Sequence, residues 1–451
     1  MGHKRSAGGD TDVSELAPAL QRLRDAWQAS KPDEAQRRND LQRLRDALKR
    51  RLDDMANAIS ADFGHRSREE SVIADGMTVL NDIDHLIKHL RRWMKPSRVG
   101  VGWRFLPARA QLRPSPVGVV GVIAPWNYPV NLSLIPLATA IAAGNHVYLK
   151  PSEHTPRTSA FLRALLAEVF PPDRVAVATG GAEIGSAFAG LPFDHLVFTG
   201  STAVGRKVMA AAAPNLTPLT LELGGKSANI VFDDADLDAA AKGSTTAFTW
   251  NSGQWCAAGT RLLVQENIYE RFLDKLVGEV AKLKVGPQDD STSGPITTQA
   301  QFEKIQSYFD IAAREGLKPA IGGKVKNVPG HEDGWYIEPT VYANVTNDMT
   351  LAQEEIFGPI VCVIPFKDEA DALRIANDSE FGLGAGIWSQ NIGRVHRVAA
   401  GLEAGRIVVN EYSGGFVQTP CGGFKQSGYG REQGVDALSH YTQLKSVIIR
   451  L

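Results

Sequence analysis

Apolar residues recur at helical spacing through the first hundred positions of the chain. Charged residues stand between them, and the separations are three or four positions, as in the series Leu41, Leu44, Leu48, Leu52, Met55 and Ile59. This spacing is typical of amphipathic helices that bury one face. The pattern predicts helices over residues 13–96, packed through that face on the rest of the protein.

From Val117 onward the pattern changes to short uncharged runs rich in β-branched residues. Such runs are typical of strands buried on both faces. Predicted strands at 117–123, 146–150, 174–178 and 195–198 alternate with predicted helices at 132–143, 158–169 and 203–212. This alternation predicts an α/β fold with a doubly wound parallel sheet, whose ligands bind at the carboxyl ends of the strands.

A second set of alternating elements follows Leu223. It comprises helices near 236–250 and 267–283, strands near 228–232, 260–265 and 360–366, and loops rich in turn formers at 286–296 and 322–336. Two further stretches, 103–113 and 446–451, are predicted to be extended ribbons with unpaired edges that can pair with another subunit.

Bulk composition excludes several classes of function. The chain has 451 residues, 43% of them hydrophobic, with 49 Lys and Arg against 50 Asp and Glu. This balance gives no electrostatic reason to expect a nucleic-acid or membrane partner, and no apolar run approaches the roughly 20 residues that span a bilayer. The N-terminus lacks the apolar segment of a secretory signal, and three cysteines without metal spacing predict a reducing, cytoplasmic setting and no metal site.

One of the three cysteines has a polar setting that suits a nucleophile. Cys256 closes the run Trp250-Asn251-Ser252-Gly253-Gln254-Trp255-Cys256, about thirty residues after the isolated carboxylate Glu222. A thiol can capture a substrate covalently, and a carboxylate can activate the water that releases it. The local sequence equally allows a buried, inert Cys256, as it predicts for Cys362 in its apolar run.

The usual phosphate-binding fingerprints are absent, but two strand ends suit a nucleotide. One is Thr199-Gly200-Ser201-Thr202, where Gly200 permits close backbone approach and Ser201 can cap the next helix, whose N-terminus favours anions. At the other, Lys150 and Glu153 could contact a ribose, and Glu153 would repel the extra phosphate of NADP. An ordinary helix cap and two solvated charges remain the alternatives.

Seven short runs, in order along nearly the whole chain, resemble the NAD(P)-dependent aldehyde dehydrogenase superfamily. They are Ala124-Pro125-Trp126-Asn127-Tyr128-Pro129, Lys150-Pro151-Ser152-Glu153, Phe198-Thr199-Gly200-Ser201-Thr202, Leu221-Glu222-Leu223-Gly224-Gly225-Lys226, Gly253-Gln254-Trp255-Cys256, Glu354-Glu355-Ile356-Phe357-Gly358-Pro359 and Pro420-Cys421-Gly422-Gly423-Phe424-Lys425-Gln426-Ser427-Gly428. Residues 61–67 and 191–195 are similar to the coniferyl-aldehyde branch, whereas residues 427–432 look more like the general-purpose branches.

The resemblance implies a three-part organisation. Residues 1–98 and 116–222 would form a Rossmann-like cofactor-binding domain, 223–425 an α/β catalytic domain, and 99–115 with 440–451 a small β oligomerisation ribbon. A homodimer or homotetramer would follow.

The resemblance also implies roles for individual residues. Cys256 would attack the aldehyde, Asn127 would stabilise the oxyanion, and Glu222 would activate water against the thioester. NAD would be bound, with NADP possible, by Trp126, Lys150, Glu153, Gly200, Ser201, Glu355 and Phe357. Judged on the sequence around them alone, Asn127 could be a turn residue and Glu222 a surface acid.

Aromatic residues near these motifs predict a substrate tunnel for an aromatic or apolar aldehyde. The candidates, about half of which we expect to be ordinary core residues, are Tyr128, Trp250, Trp255 and Phe416. Two rival functions remain: a CoA-acylating aldehyde dehydrogenase, which would not need Glu222, and a catalytically silent protein of this fold.

Two positions depart from the pattern of the resembled family. Many branches carry a lysine nine residues after the asparagine, where this chain has Pro136. The last of the seven runs usually has an aromatic residue before its Gly-Gly, where this chain has Cys421. Glu432 matches an acid that some branches use to relay protons. Without the lysine, a relay through Glu432 is in doubt.

Overall fold

The computed structural model describes residues 9–287, 291–412 and 416–450. Residues 1–8, at the start of the predicted cofactor-binding domain, and Leu451, in the predicted ribbon, lie outside the described residues. So do 288–290 of the predicted loop and 413–415 of the predicted catalytic domain. In the described part, no helix combines the length and apolarity needed to cross a membrane.

Helices cover the N-terminal region and alternate with strands thereafter. The α-helices are α1 (Val13–Ala29), α2 (Glu34–Arg50), α3 (Leu52–Phe63), α4 (Arg68–Ser71), α5 (Thr78–Trp93), α6 (Asn131–Ala143), α7 (Pro156–Val169), α8 (Ala182–Ala189), α9 (Thr202–Ala212), α10 (Leu237–Thr249), α11 (Tyr269–Val280), α12 (Gln299–Arg314), α13 (Thr350–Gln353), α14 (Glu369–Asn377), α15 (Ile392–Gly401) and α16 (Gly434–His440). A π-helical segment, Val72–Met77, joins α4 to α5. Side-chain caps begin several of them; Asp12 and Asp33, for example, accept hydrogen bonds from backbone N–H groups of α1 and α2.

The strands assemble into two large sheets and two small ones. They are β1 (Ser97–Val99), β2 (Arg109–Pro116), β3 (Val119–Ile123), β4 (His146–Lys150), β5 (Val175–Val177), β6 (His195–Thr199), β7 (Leu219–Glu222), β8 (Ala228–Val231), β9 (Arg261–Gln265), β10 (Pro319–Ile321), β11 (Thr340–Tyr342), β12 (Ile360–Phe366), β13 (Phe381–Gly382), β14 (Gly384–Trp388), β15 (Arg406–Val409), β16 (Phe424–Lys425), β17 (Gly428–Tyr429) and β18 (Thr442–Ile449).

The first large sheet has the order β17-β7-β6-β3-β4-β5. Strands β7, β6, β3, β4 and β5 are parallel, as the alternating pattern predicted, and β17 adds an antiparallel edge from far along the chain. Apolar clusters cover both faces of this sheet, one built on α2, α3, α5, α6 and α7 and the other on α1, α8 and α9. The doubly wound fold is therefore confirmed.

The second large sheet has the order β10-β11-β12-β9-β8-β14-β15. Its strands are parallel except β10, and its two faces carry separate apolar clusters. Cys362 lies in β12 and is fully buried, as predicted for a small apolar residue. The second sheet begins directly after the Gly224-Gly225 turn that leaves the first one.

The ribbon is a three-stranded antiparallel sheet in the order β1-β2-β18. The predicted extended stretch 103–113 is wrong in its first part, because Trp103–Phe105 forms a turn of 3-10 helix and β2 begins only at Arg109. The C-terminal strand is longer than predicted and starts at Thr442. The three-domain division drawn from the sequence stays a prediction.

Candidate active site

The carboxyl ends of four neighbouring strands meet along one edge of the first sheet. Register places Lys150 opposite Ile123, Ile123 opposite Phe198, and Thr199 opposite Glu222. Helix α9 starts at the same edge, with the Ser201 hydroxyl accepting from the backbone N–H of Val204. A helix N-terminus and several polar side chains therefore lie along the same edge. This arrangement suits an elongated ligand with an anionic group.

Lys150 and Glu153 form a partly buried ion pair beside this edge. The Lys150 Nζ lies 3.2 Å from Glu153 Oε2, and the lysine is itself buried. Burial favours protonation of Glu153, but the Lys150 ammonium and the residue's own backbone N–H outweigh it, so the pKa of Glu153 is lowered. Glu153 is therefore a carboxylate at neutral pH, available to accept from ribose hydroxyls.

Cys256 follows a tightly turned loop. Asn251, Ser252 and Gly253 have φ values of 51°, 54° and 73°, in the left-handed region that non-glycine residues seldom occupy. A Cβ on Gly253 would lie 2.2 Å from the backbone of Gly358, so glycine is required there. The loop is thus pressed against the segment that carries Glu355 and Phe357.

Two residues before the thiol, the loop is tied to Asn127. The Asn127 side-chain amide donates to the Gln254 carbonyl oxygen over 3.1 Å, and the Asn251 side chain donates to the Asn127 carbonyl over 3.0 Å. Asn127 is buried. An amide nitrogen carries two protons, so one Asn127 donor site remains for a ligand.

A buried charged network that the sequence did not single out supports Asn127. Arg66 pairs with Asp75 over 3.0 Å and also donates to the Asn127 carbonyl over 3.4 Å. Asp75 accepts from the backbone N–H groups of Val130 and Asn131, at the start of α6. The available signal was the helical spacing, which puts Asp75 on the same side of the helix as the apolar residues Val79 and Ile83.

The Cys256 thiol is protonated in this environment. Burial raises its pKa, and any negative charge on the nearby Cys421, Glu355 or Glu222 raises it further. The backbone of Cys421 pairs with that of Glu432 in both directions, over 2.7 and 2.8 Å. The thiol therefore needs a base, or a compensating positive charge, before it can act as a nucleophile.

Glu222 ends β7 and points into the interior. Its Oε1 is buried and has no hydrogen-bond partner among the described residues, while its backbone is opposite Gly428 of β17. Burial raises the pKa of Glu222 well above its usual range, the Glu432 charge raises it further, and Arg431 lowers it. Because its pKa is raised, the ionised form of Glu222 is a stronger base than an exposed glutamate.

Glu355 lies against the two glycines that follow Glu222. Its Oε1 accepts from the Gly225 N–H over 3.0 Å, and a Cβ on Gly224 would lie 2.2 Å from its Oε2. On the other side, a Cβ on Gly225 would lie 2.6 Å from the Cys256 carbonyl oxygen. Because neither Gly224 nor Gly225 has a side chain, Glu355 and the Cys256 loop can both lie close to this segment and to each other.

Phe357 and Trp126 form an aromatic wall beside Glu355. Their ring centroids are 5.5 Å apart in an edge arrangement, and Phe357 has a φ of 60°. The Gln301 side chain holds this unusual backbone by donating to the Ile356 and Phe357 carbonyls. Glu355, two residues before Phe357, contacts Gly224 and Gly225, which follow the end of β7.

The four predicted tunnel residues lie in different settings. Tyr128 is buried under Arg66, and burial raises its pKa. Trp255 packs on Tyr412 and the core of the second sheet. Phe416 is 58% exposed and, with helix α5, lines a cavity of about 380 Å³. Trp250 begins the 3-10 turn before the thiol loop.

Comparison with known proteins gives a consistent result. Residues 3–447 match the model of the aldehyde dehydrogenase family. A betaine aldehyde dehydrogenase of Brucella anthropi is 37% identical over 450 residues, covering 99% of this chain and 91% of that protein. An aldehyde dehydrogenase of Emericella nidulans is 45% identical over 345 residues, covering 75% of this chain and 69% of that protein.

Solved structures agree in fold. The indole-3-acetaldehyde dehydrogenase of P. syringae, in complex with NAD+ and IAA, superposes with a TM-score of 0.93 at 32% identity, over 98% of this chain and 90% of that one. A betaine aldehyde dehydrogenase of Staphylococcus aureus in complex with NAD+ gives the same TM-score at 33% identity, over 98% of this chain and 91% of that one.

Proposed function

Because the chain belongs to the aldehyde dehydrogenase family, we propose that it oxidises an aldehyde to the carboxylic acid with NAD as the hydride acceptor. The observations that best support this are that Asn127 is hydrogen-bonded to the loop carrying Cys256, and that this loop lies against Gly225, three residues after Glu222. A thiol, an oxyanion donor and a buried base are the three groups that thioester chemistry needs.

The first half of the reaction belongs to Cys256 and Asn127. Once a base has taken the proton of the Cys256 thiol, the thiolate adds to the aldehyde carbon, forming a C–S bond, and the carbonyl oxygen becomes an oxyanion. The free Asn127 amide proton and the Cys256 backbone N–H would donate to it. Because Arg66 and Gln254 hold Asn127 in place, little reorganisation is needed at that moment.

NAD, when bound, supplies the acceptor for the hydride that leaves the thiohemiacetal carbon and turns it into a thioester. Lys150 and Glu153 would hold the adenosine ribose, Gly200 and Ser201 the pyrophosphate, and Glu355 the nicotinamide ribose. Trp126 and Phe357 would wall the site. The Glu153 carboxylate would disfavour the extra phosphate of NADP, so we expect a preference for NAD.

The second half belongs to Glu222. Its carboxylate would take a proton from water, and the resulting hydroxide would add to the thioester carbon. The C–S bond then breaks, with its electron pair returning to Cys256. A buried base that needs water has no purpose in transfer to CoA, so Glu222 favours hydrolysis over the CoA-acylating alternative.

We propose an aromatic or apolar aldehyde as substrate, on the basis of Tyr128, which directly follows Asn127, and of Trp250 at the start of the thiol loop. The relatives act on different aldehydes, betaine aldehyde and indole-3-acetaldehyde by their names, so family membership does not choose between them.

We also propose a cytoplasmic homodimer or homotetramer assembled through the ribbon. Strand β18 is exposed along most of its length and carries apolar side chains to the surface, with Leu444 67% and Ile448 72% exposed. Apolar residues on an exposed edge sheet are typical of a subunit contact.

The proposal is tested by NADH formation with a panel of aromatic, long-chain and short polar aldehydes. We expect wild-type protein to reduce NAD with at least one of the first two classes. The Cys256→Ala variant should bind NAD normally by calorimetry but form no NADH. NADH formation by that variant would remove the nucleophile assignment, and stimulation by CoA would favour the alternative.

A further inference from the structure

Arg66 is a buried guanidinium in direct contact with the backbone of Asn127. It is 3% exposed, and its Nη1 donates to the Asn127 carbonyl oxygen over 3.4 Å. The same oxygen accepts from the Asn251 side chain over 3.0 Å. A carbonyl oxygen has two lone pairs, so these two donors together satisfy it. The peptide group that begins at Asn127 is therefore held by Arg66 on one side and by the thiol loop on the other.

Asp75 holds both Arg66 and the chain just beyond Asn127. Its Oδ2 lies 3.0 Å from Arg66 Nη1, and its Oδ1 accepts from the backbone N–H groups of Val130 and Asn131. Asp75 is fully buried. One carboxylate thus connects the guanidinium to the start of α6, so Asn127 and Asn131 are fixed through the same ion pair.

Glu70 connects Arg66 to the thiol loop a second time. Its Oε1 lies 3.7 Å from Arg66 Nε. Glu70 and Asn251 line the same small cavity, and burial raises the pKa of Glu70 while Arg66 and the Asn251 backbone N–H oppose that rise. Arg66 therefore interacts with both segments that would supply the oxyanion donors.

The guanidinium carries its full positive charge in this position. Burial disfavours the charged form, but Glu70 and Asp75 outweigh burial, and the pKa of Arg66 is raised. The guanidinium also lies over the ring of Tyr128, 5.0 Å from the ring centroid, where the aromatic face favours a cation.

Arg66 has no space beside it for a substrate. The cavity that it lines with Glu70, Asn251 and Ser252 measures about 10 Å³, which holds about one water molecule. An effect of Arg66 on the reaction must therefore pass through the residues that it contacts.

We propose that Arg66 is a positioning residue of the oxyanion site, and that its planar fork sets the place of the Asn127 amide relative to the thiol loop. No bond to Arg66 forms or breaks. It acts on the step in which Cys256 adds to the aldehyde, because the oxyanion appears there. A displacement of about 1 Å in such a site can cost roughly 10² in rate. This inference rests on the proposed function, which makes Asn127 the donor.

Arg66→Lys tests the fork while keeping a positive charge opposite Asp75. A single ammonium cannot reproduce the planar guanidinium that reaches both Asp75 and Asn127. In rapid-mixing experiments the rate of the first NADH turnover should fall about tenfold, with the KM for aldehyde within about twofold of wild type. The affinity for NAD, measured by calorimetry, should be unchanged.

Arg174→Lys is the matched control. Arg174 is also buried and pairs with Asp40 over 3.0 Å, but it precedes β5 at the amino end of the strands, on the edge of the first sheet opposite the site. The variant loses a fork of the same kind, so it reports the cost to stability alone. Its first NADH turnover should keep the wild-type rate. A loss in Arg174→Lys equal to that in Arg66→Lys would overturn the proposal.

Alkylation by iodoacetamide separates the oxyanion site from the thiol itself. The Cys256 sulfur bonds to the reagent's carbon, iodide leaves, and the thiol proton passes to the buffer, so no oxyanion forms. In Arg66→Lys the rate of this reaction at Cys256, followed by mass spectrometry of the peptide, should stay within about twofold of wild type. An equal fall in alkylation and in the first NADH turnover would overturn the proposal, because Arg66 would then govern the thiol.

Chemical rescue of Arg66→Ala tests whether the missing group is the charged fork. Guanidinium chloride, far below the concentrations that unfold proteins, should raise the rate of the first turnover by about threefold or more, whereas urea, similar in shape but neutral, should not. Equal rescue by both, or a wild-type rate in Arg66→Lys, would contradict the proposal. If Arg66→Ala does not fold, Arg66→Lys decides. Absence of NADH formation by wild-type protein would instead count against the proposed function.

Discussion

The side-chain amide of Asn127 donates to the backbone carbonyl of Gln254 over 3.1 Å, two residues before the thiol of Cys256. Asn127 follows β3 of the first sheet, whereas Gln254 lies in the loop after α10. This hydrogen bond, together with the one from the Asn251 side chain to the Asn127 carbonyl, connects the two segments that would provide the oxyanion donors. Their relative position is fixed before any substrate arrives, which is the condition for effective electrostatic stabilisation.

Replacing Asn127 by alanine tests this arrangement. We expect Asn127→Ala to lower kcat/KM for NADH formation by roughly 10²–10³, the usual cost of one oxyanion donor, with NAD affinity unchanged. The matched control is Asn251→Ala, which removes hydrogen bonds to the Asn127 and Gln254 carbonyls but no donor to substrate. Equal losses in both variants would mean that Asn127 only holds the loop.

Replacing Glu222 by glutamine should separate the two half-reactions. Glu222→Gln keeps the shape of the side chain but cannot accept a proton, so we expect one NADH per site followed by a stall. Mass spectrometry of the quenched protein should then find the acyl group on Cys256. Glu354→Gln is the control, because its amide oxygen can still accept from Tyr308. Normal turnover of Glu222→Gln would contradict the base assignment.

Replacing Glu153 by serine should weaken the preference for NAD. The change removes a carboxylate that would repel the extra phosphate of NADP and frees the Lys150 ammonium to attract it. We expect the ratio of kcat/KM for NADP to that for NAD to rise about tenfold or more, roughly 1.4 kcal/mol. Steady-state kinetics with both cofactors measure this ratio. An unchanged ratio would mean that the adenosine ribose does not bind beside Glu153.

The buried acid Asp82 should make stability depend on pH. Its pKa rises from 3.8 to about 8 in the folded protein. Its contribution is therefore fully present below about pH 4 and is lost as the pH rises to about 8, because the fold favours the protonated form. We expect the melting temperature of Asp82→Asn, relative to wild type, to rise between about pH 5 and pH 9. If the melting temperatures of the variant and of wild type changed with pH in the same way, the pKa of Asp82 would be the same in the folded and unfolded protein.

Much of the first sheet could be predicted from local pattern alone. Strands such as His146–Lys150 are short, uncharged inside and flanked by helices, so neighbouring residues determine them. The Ser201 cap was likewise visible, because a hydroxyl residue follows a strand and precedes a helix. The motif runs around Cys256 and Glu222 added the site residues, since those runs resemble a known family.

The supporting groups could not be predicted in the same way. Arg66 and Asp82 are charges between the apolar positions of predicted helices, yet both are buried. Arg66 reaches Asn127 across 61 positions, and Glu432 and Tyr441 come from the C-terminal region. Contacts of this kind depend on how the sheets and helices pack, which no local window of sequence contains.

Strand β17 and Ser427 reach the site from near the other end of the protein. The Ser427 hydroxyl donates to the Gly224 carbonyl over 2.6 Å, although the two residues are 203 positions apart, and β17 pairs with the end of β7 at Glu222. During synthesis, Glu222 and the two glycines that follow it are therefore made long before the segment that covers them. A ribosome-bound chain arrested before residue 427 should fold its first sheet with that edge open, and catalytic competence should arrive only at the last stage of translation.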